Sequence, residues 1–180
     1  MSSQVELEAH LFSEAKKDNG YAVFEDYVVW AMRNTVDEDS EFGRKSKPLR
    51  DAGEAAIRGS LAGLLGQGHD MMLSVSEGKV AGHISFQRYQ ENGVPGYQAT
   101  DSWEVFQHFR KDGYGGRGFG YSQALKLIEL AKERGVKRIR VGGDSKHPKV
   151  QRIVDRLKTD EEILGISVDA DLYWVELNQE

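Results

Sequence analysis

The chain has 180 residues, 39% of them apolar, with a net charge of −5 and no cysteine; this length suits one domain that buries roughly 70% of its unfolded surface and folds without disulfide or metal. The lack of cysteine excludes a thiol nucleophile, a cysteine zinc site and a disulfide framework, and fits a reducing cytoplasm. The opening Met-Ser-Ser-Gln-Val-Glu lacks the basic-then-apolar order of a signal peptide, and no apolar run nears the ~20 residues that span a bilayer, so a cytoplasmic protein without a membrane partner is expected.

In chain order, residues 1–70 read mainly as helix. Tyr27, Val28, Trp30 and Ala31, mixed with Glu25 and Asp26, predict a helix over about Tyr21–Arg33. The acidic stretch Thr35–Lys47 breaks it, and Pro48 suits the start of another helix. There Ala52, Ala55, Ala56, Leu61, Leu64 and Leu65 recur at helical intervals until Gly66-Gln67-Gly68. Met71–Val75 and Val80–Phe86 flank the turn Ser76-Glu77-Gly78-Lys79 and predict a β-hairpin. Glu91–Gly96 reads as loop. Ser102–Arg110 is the next strand. Glycines at 113, 115, 116, 118 and 120 then lead into a helix with Tyr121, Ala124, Leu125, Ile128 and Ala131 on one stripe and Gly135 as its stop. Val136–Val141 is a short charged strand, Pro148 opens a helix to about Leu157, and Leu172–Leu177 is a last strand. This order predicts a single α/β (α+β) layered domain over residues 1–180.

Charge is unevenly spread. From His108 to Lys158 there are 14 Lys and Arg against 5 Asp and Glu. A basic segment inside an acidic protein invites a polyanionic ligand there and a cationic one elsewhere, although solvated helix faces explain the same residues. The acidic whole, with no aromatic residues interleaved among the basic ones, argues against a nucleic-acid partner.

The glycine run lies between a strand and a helix, where backbone comes close to a ligand and the first helical N–H groups are unpaired, which makes an anion site. A nucleotide-triphosphate loop is excluded, because Tyr121 stands where the phosphate-binding lysine must be. A Rossmann dinucleotide site finds Gly113, Gly115 and Gly118 at its glycine spacing and Asp144 after the next strand. Against it, Arg110-Lys111-Asp112 separates the strand from the first glycine, and only 36 residues follow Asp144. A plain tight turn is a further reading.

Gly115-Gly116-Arg117-Gly118-Phe119-Gly120 resembles the signature Q/R-x-x-G-x-G/A of the GNAT acetyltransferase superfamily, with Gly115 where Gln or Arg is usual. The resemblance covers about Met71 to Leu157. It implies a mixed, mostly antiparallel central sheet flanked by helices, with residues 1–70 a helical substrate-side part, 71–158 a coenzyme A-binding core and 159–180 a C-terminal strand region. It implies acetyl-CoA as cosubstrate and no metal, held by Phe109, Arg110, Gly115, Gly116, Arg117, Gly118, Phe119, Gly120, Tyr121 and Ser145. His108 and Arg110 fall where that family commonly has apolar residues, which a one-residue shift would explain.

Acetyl transfer to an amine needs a base for the ammonium and stabilisation of charge on the thioester oxygen. Glu104 stands eleven residues before Gly115, the spacing at which some members carry a glutamate base, and a setting beside Trp103 and Phe106 would raise its pKa. The usual tyrosine acid has Val154 in its place; Tyr173, Ser145, His147 or a water would substitute. His147 before Pro148 also reads as a helix-end residue, and His83 and His108 as packing or surface groups rather than metal ligands. The acceptor implied is a small-molecule or peptide amine. Glu25, Asp26, Asp37, Glu38, Asp39 and Glu41 would attract a cationic one. Dimers are common in the resembled family. A protein of the same fold that binds acetyl-CoA without catalysing is the alternative, favoured by the missing tyrosine.

Overall fold

The computed structural model describes residues 6–15, 21–39, 41–88, 102–116, 118–141, 147–161, 163–169 and 172–179. Its elements are β1 (Glu8–Leu11), α1 (Phe12–Ala15), α2 (Tyr21–Asn34), α3 (Glu41–Asp51), α4 (Glu54–Gly66), β2 (His69–Ser76), β3 (Lys79–Arg88), β4 (Ser102–Arg110), α5 (Phe119–Glu133), β5 (Arg138–Val141), α6 (Pro148–Leu157), β6 (Ile163–Asp169) and β7 (Leu172–Leu177). The strands form one sheet in the order β1-β2-β3-β4-β5-β7-β6. Every pairing is antiparallel except β4 with β5, which α5 connects in parallel.

The predicted hairpin is present as β2 and β3, and its turn is tight because Glu77 (φ 51°) and Gly78 (φ 73°) both take the left-handed conformation that a two-residue hairpin loop requires. The helical N-terminal part differs from expectation in two ways. It contains β1, four residues paired antiparallel to β2. Pro48 also does not start a helix but lies inside α3, which ends at Asp51; Gly53, at φ 94°, then turns the chain into α4. The C-terminal region holds two strands where one was expected, β6 and β7.

The sheet is covered on both faces. Met72, Ile84, Phe86, Trp103 and Val105 pack against Leu127, Ile128 and Ala131 of α5 and Leu157 of α6. On the opposite face Leu73, Val75 and Val80 meet Val28, Ala31 and Met32 of α2 and Ile57 and Leu61 of α4. Burial of these two apolar layers supplies the main driving force for the fold. It also fixes register, since a one-residue slip would swap the faces.

Candidate functional site

Among the described residues, β5 ends before its neighbour β4 does. Pairing between β4 and β5 runs only from Ser102–Arg138 to Val105–Val141, yet β4 continues to Arg110. Residues 107–110 therefore have partners on β3 and, among the described residues, none on the β5 side. Such an edge presents backbone N–H and C=O groups to an extended ligand.

A bulge in β4 decides what faces this opening. Ser85 pairs with Gln107 but Phe86 pairs with Val105, so Phe106 is the extra residue and shares a face with Gln107. Before the bulge Trp103 and Val105 face α5; after it His108 and Arg110 do. The sequence pattern suggested a one-residue shift of alignment; the backbone has instead a bulge, which turns His108 and Arg110 to the α5 face. His108 bonds through Nε2 to Gln123 Oε1 at 2.7 Å, and Gln123 Nε2 donates to Ser74 Oγ at 2.9 Å. Gly82 leaves room for this packing, since a Cβ there would lie 2.4 Å from the Phe109 carbonyl oxygen.

Beyond Arg110 the chain passes through Gly113, Gly116 and Gly118, all at positive φ (89°, 78° and 74°), into α5. Lys111 N–H donates to the Ala81 carbonyl at 2.8 Å, and Phe119, only 1% exposed, packs against Leu7 and Ala81 to pin the start of the helix. Gly118 is the cap residue, no side chain caps this end, and the first bond within the helix runs from Ser122 N–H to the Gly118 carbonyl at 3.0 Å. The end of α5 therefore carries the positive pole of the helix. Two guanidinium groups flank it. Arg110 Nη2 lies 3.3 Å from where a Cβ on Gly115 would stand, and Arg156 Nη1 lies 3.2 Å from the same point on Gly118. Neither arginine has an acidic partner among the described residues. Arg156, which the sequence reading did not single out, stacks over the Tyr121 ring, whose hydroxyl donates to Asp160 Oδ2 at 2.9 Å. A basic residue on the face of α6 turned toward the glycine loop was the signal available for it.

The predicted coenzyme residues Arg110, Gly115, Gly116, Gly118, Gly120 and Tyr121 are thus gathered at one end of α5. Phe119 serves through its buried ring as an anchor, so only its backbone faces the loop. The Phe109 ring points to the opposite face, stacked on His83 at 5.2 Å and tilted toward Trp30 at 5.9 Å. Arg117 and Ser145 lie outside the described residues.

Glu104 is on the α2 face, in register with Gln87 of β3 and Arg140 of β5. Its carboxylate accepts from Gln87 Nε2 at 3.1 Å and lies 3.5 Å from Arg140 Nη1. The apolar surroundings expected from Trp103 and Phe106 do not form around it: Trp103 points to the other face, and a guanidinium and an amide surround the carboxylate instead. Tyr173 pairs with Val141, which pairs with Val105. Its side chain therefore stands on the α5 face, across the sheet from Glu104. Val154 is buried at 3% exposure, as its apolar character implies. His147 caps α6, its Nδ1 accepting from Lys149 N–H at 3.2 Å.

A buried polar chain ties α2 to the bulge. Gln107 Nε2 donates to Thr35, which turns its Oε1 to His83 Nε2 at 3.0 Å and leaves His83 Nδ1 to accept from the Tyr27 hydroxyl at 2.9 Å. Burial pushes the His83 pKa down to about 4, so the ring is neutral. Three of the six acidic N-terminal residues are held in ion pairs. Arg58 holds Glu25 at 2.9 Å and Asp26 at 2.6 Å, and Arg50 grips both oxygens of Glu38. Among the described residues no group of three or more metal-ligating side chains is gathered, and no helix is long and apolar enough to cross a membrane.

No protein-family model and no curated protein sequence matches the chain. Solved structures do. An acetyltransferase of the GNAT family from Staphylococcus aureus matches with a TM-score of 0.53 at 15% identity, over 96% of this chain and 100% of that one. The Salmonella typhimurium protein yncA, solved with its cofactor acetyl-CoA, matches at 0.54 and 16%, over 99% and 95%. The aminoglycoside N-acetyltransferase AAC(6')-Ib11 matches at 0.58 and 14%, over 97% and 98%. The chain shares the fold of these GNAT structures over 96–99% of its length.

Proposed function

We propose that this chain is an acetyl-CoA-dependent N-acetyltransferase. The observation that carries the reading is the convergence, at the open end of β4, of an uncapped helix N-terminus with two arginines that have no acidic partner among the described residues. That arrangement suits the phosphates of coenzyme A. Its neighbours of the same fold include one solved with acetyl-CoA. The backbone amides of Gly115, Gly116, Gly118 and Gly120 and the guanidinium groups of Arg110 and Arg156 hold the phosphates, and the stretch of β4 beyond its pairing with β5 aligns the extended arm of the ligand.

Acetyl-CoA supplies the thioester. The amine nitrogen attacks the thioester carbonyl carbon, a C–N bond forms, the C–S bond breaks, and the electron pair leaves on sulfur. Glu104 takes the proton lost by the ammonium, from the α2 face. Tyr173, on the other face, gives a proton to the thiolate, and the second proton shed by the nitrogen as the amide forms replaces it by way of solvent, so that one proton, on Glu104, is left over to be released. Both assignments are ours. Acid and base on opposite faces of the sheet match a reaction whose amine enters from one side and whose thiol departs on the other.

The test is release of free coenzyme A from acetyl-CoA on adding amines, read with a thiol reagent. With no cysteine in the chain, the reagent reports only the product. Amine-dependent thiol release supports the reading. Tight acetyl-CoA binding without release for any amine would favour the non-catalytic alternative, for which Val154 in place of the usual tyrosine speaks.

A further inference from the structure

A narrow, open-sided cavity of about 50 Å³ lies on the α2 face beside the β4 bulge. Val28, Met32, Leu61, Leu65, Met71 and Phe106 give it an apolar lining. Four polar residues, His69, Asp70, Ser85 and Gln107, complete the lining, and two of them have their side chains committed. The Asp70 carboxylate accepts from Ser13 N–H at 3.1 Å, from the Ser13 hydroxyl and from Met71 N–H at 2.8 Å, and Gln107 is bonded to His83 and Thr35. A lining that is mostly apolar takes an apolar group.

Its place in the sheet is fixed by register. Met71, Ser85 and Gln107 form one row across β2, β3 and β4, and all three line the cavity. Glu104 belongs to the neighbouring row with Gln87 and His69. It precedes Phe106 by two residues on the same face, about 6.7 Å along the strand. Glu104 does not itself line the cavity, but two residues that do, His69 in its own row and Phe106 two positions along its strand, stand next to it on this face.

We infer that the acceptor is a monoamine carrying a short aliphatic or small aromatic group, which fills this cavity while its nitrogen faces Glu104. The inference rests on the acetyltransferase reading and names its substrate class. It ranks a polycationic acceptor second, because Arg50 and Arg58 neutralise Glu25, Asp26 and Glu38, three of the six carboxylates that would have attracted one. The cavity suits roughly four heavy atoms, since a water-sized group needs about 10–15 Å³ of such space. Each methylene buried should raise kcat/KM about fourfold until the space is full.

The experiment compares n-alkylamines from methyl to hexyl, with spermidine, at fixed acetyl-CoA, and acyl-CoA chains from acetyl to hexanoyl at fixed amine. The expected result is a rise of about fourfold per carbon up to about butylamine. Val36→Phe, which narrows the cavity, should end the rise near ethylamine, and Leu65→Ala should extend it past butylamine. Stabilisation of the coenzyme A complex against heat by butylamine over methylamine reads the same cavity without turnover. Failure of acetyl-CoA to bind would remove the acetyltransferase reading itself. If acetyl-CoA binds but spermidine outruns butylamine, the assignment of the acceptor alone is overturned. The same holds if the alkylamine series is flat in both turnover and heat stability, or if the two variants move acyl-chain preference instead.

Discussion

Tyr121 and Arg156 are stacked, with the guanidinium carbon 3.7 Å from the ring centre. The stack joins the first turn of α5 to α6 and holds a positive charge at the helix N-terminus, where an anion gains most from it. Arg156→Ala should weaken acetyl-CoA binding about tenfold, as loss of one charge-assisted contact does, and more at low salt. Tyr121→Phe keeps the platform and should change affinity little, whereas Tyr121→Ala should approach the Arg156 loss. Calorimetric titration at two salt concentrations checks the order.

Two glycines should fail differently. A Cβ at Gly82 would lie 2.4 Å from the Phe109 carbonyl oxygen, a backbone atom that cannot step aside. Gly82→Ala should therefore cost about 1–3 kcal/mol of stability and lower the melting temperature by several degrees. At Gly118 the positive φ of 74° and the nearby Arg156 mean that Gly118→Ala strains the helix cap and displaces the guanidinium. Its main effect should be on acetyl-CoA affinity. Thermal melts and titrations of both variants separate the two outcomes.

Glu104→Gln should leave acetyl-CoA affinity within about twofold and reduce turnover by about 10²-fold or more, the usual contribution of a general base. Gln87 donates to one carboxylate oxygen and Arg140 lies against the other, so the amide keeps one contact and turns its NH2 toward the other donor; a thermal melt of the variant reads that structural cost separately. Equal loss of binding and turnover would remove Glu104 from the proton transfer.

Stability should fall as the medium is acidified from pH 6.5 toward 4. The pKa of His83 is lowered in the folded state to about 4, so between these values the unfolded chain binds the extra proton and folding loses it. The full shift corresponds to roughly 3 kcal/mol. Burial lowers His69 as well, in the same direction. In His83→Gln the slope of melting temperature against pH over this window should flatten, even though the variant starts from a lower stability at neutral pH.

Much of the core was readable in the sequence because the elements that carry it have strong periodicity or punctuation. The hairpin shows alternation around a Glu-Gly turn, and α5 shows an apolar stripe between two glycines. The elements that sequence missed lack these signals. β1 has four residues and buries only Leu11, so it exists through pairing with β2. β6 is an edge strand whose Leu164 and Val168 are exposed, which blurs any alternation. α3 was hidden by its acidic start and by Pro48, a residue that reads as a beginning. The bulge at Phe106 is a backbone insertion and surfaced only as misplaced polar residues at His108 and Arg110. At the site, the glycine loop was legible because it is local. Arg156 and the pairing of Glu104 with Arg140 depend on chain segments brought together by the fold.

The central claim is that the open end of β4 binds acetyl-CoA, and thermal denaturation in the presence of acetyl-CoA or NADH tests it most directly. At 100 times its dissociation constant acetyl-CoA should add about 2.7 kcal/mol, which raises the melting temperature by roughly 5–10 °C, while NADH leaves it unchanged. A rise with NADH and none with acetyl-CoA would contradict the account and assign the glycine loop to a dinucleotide.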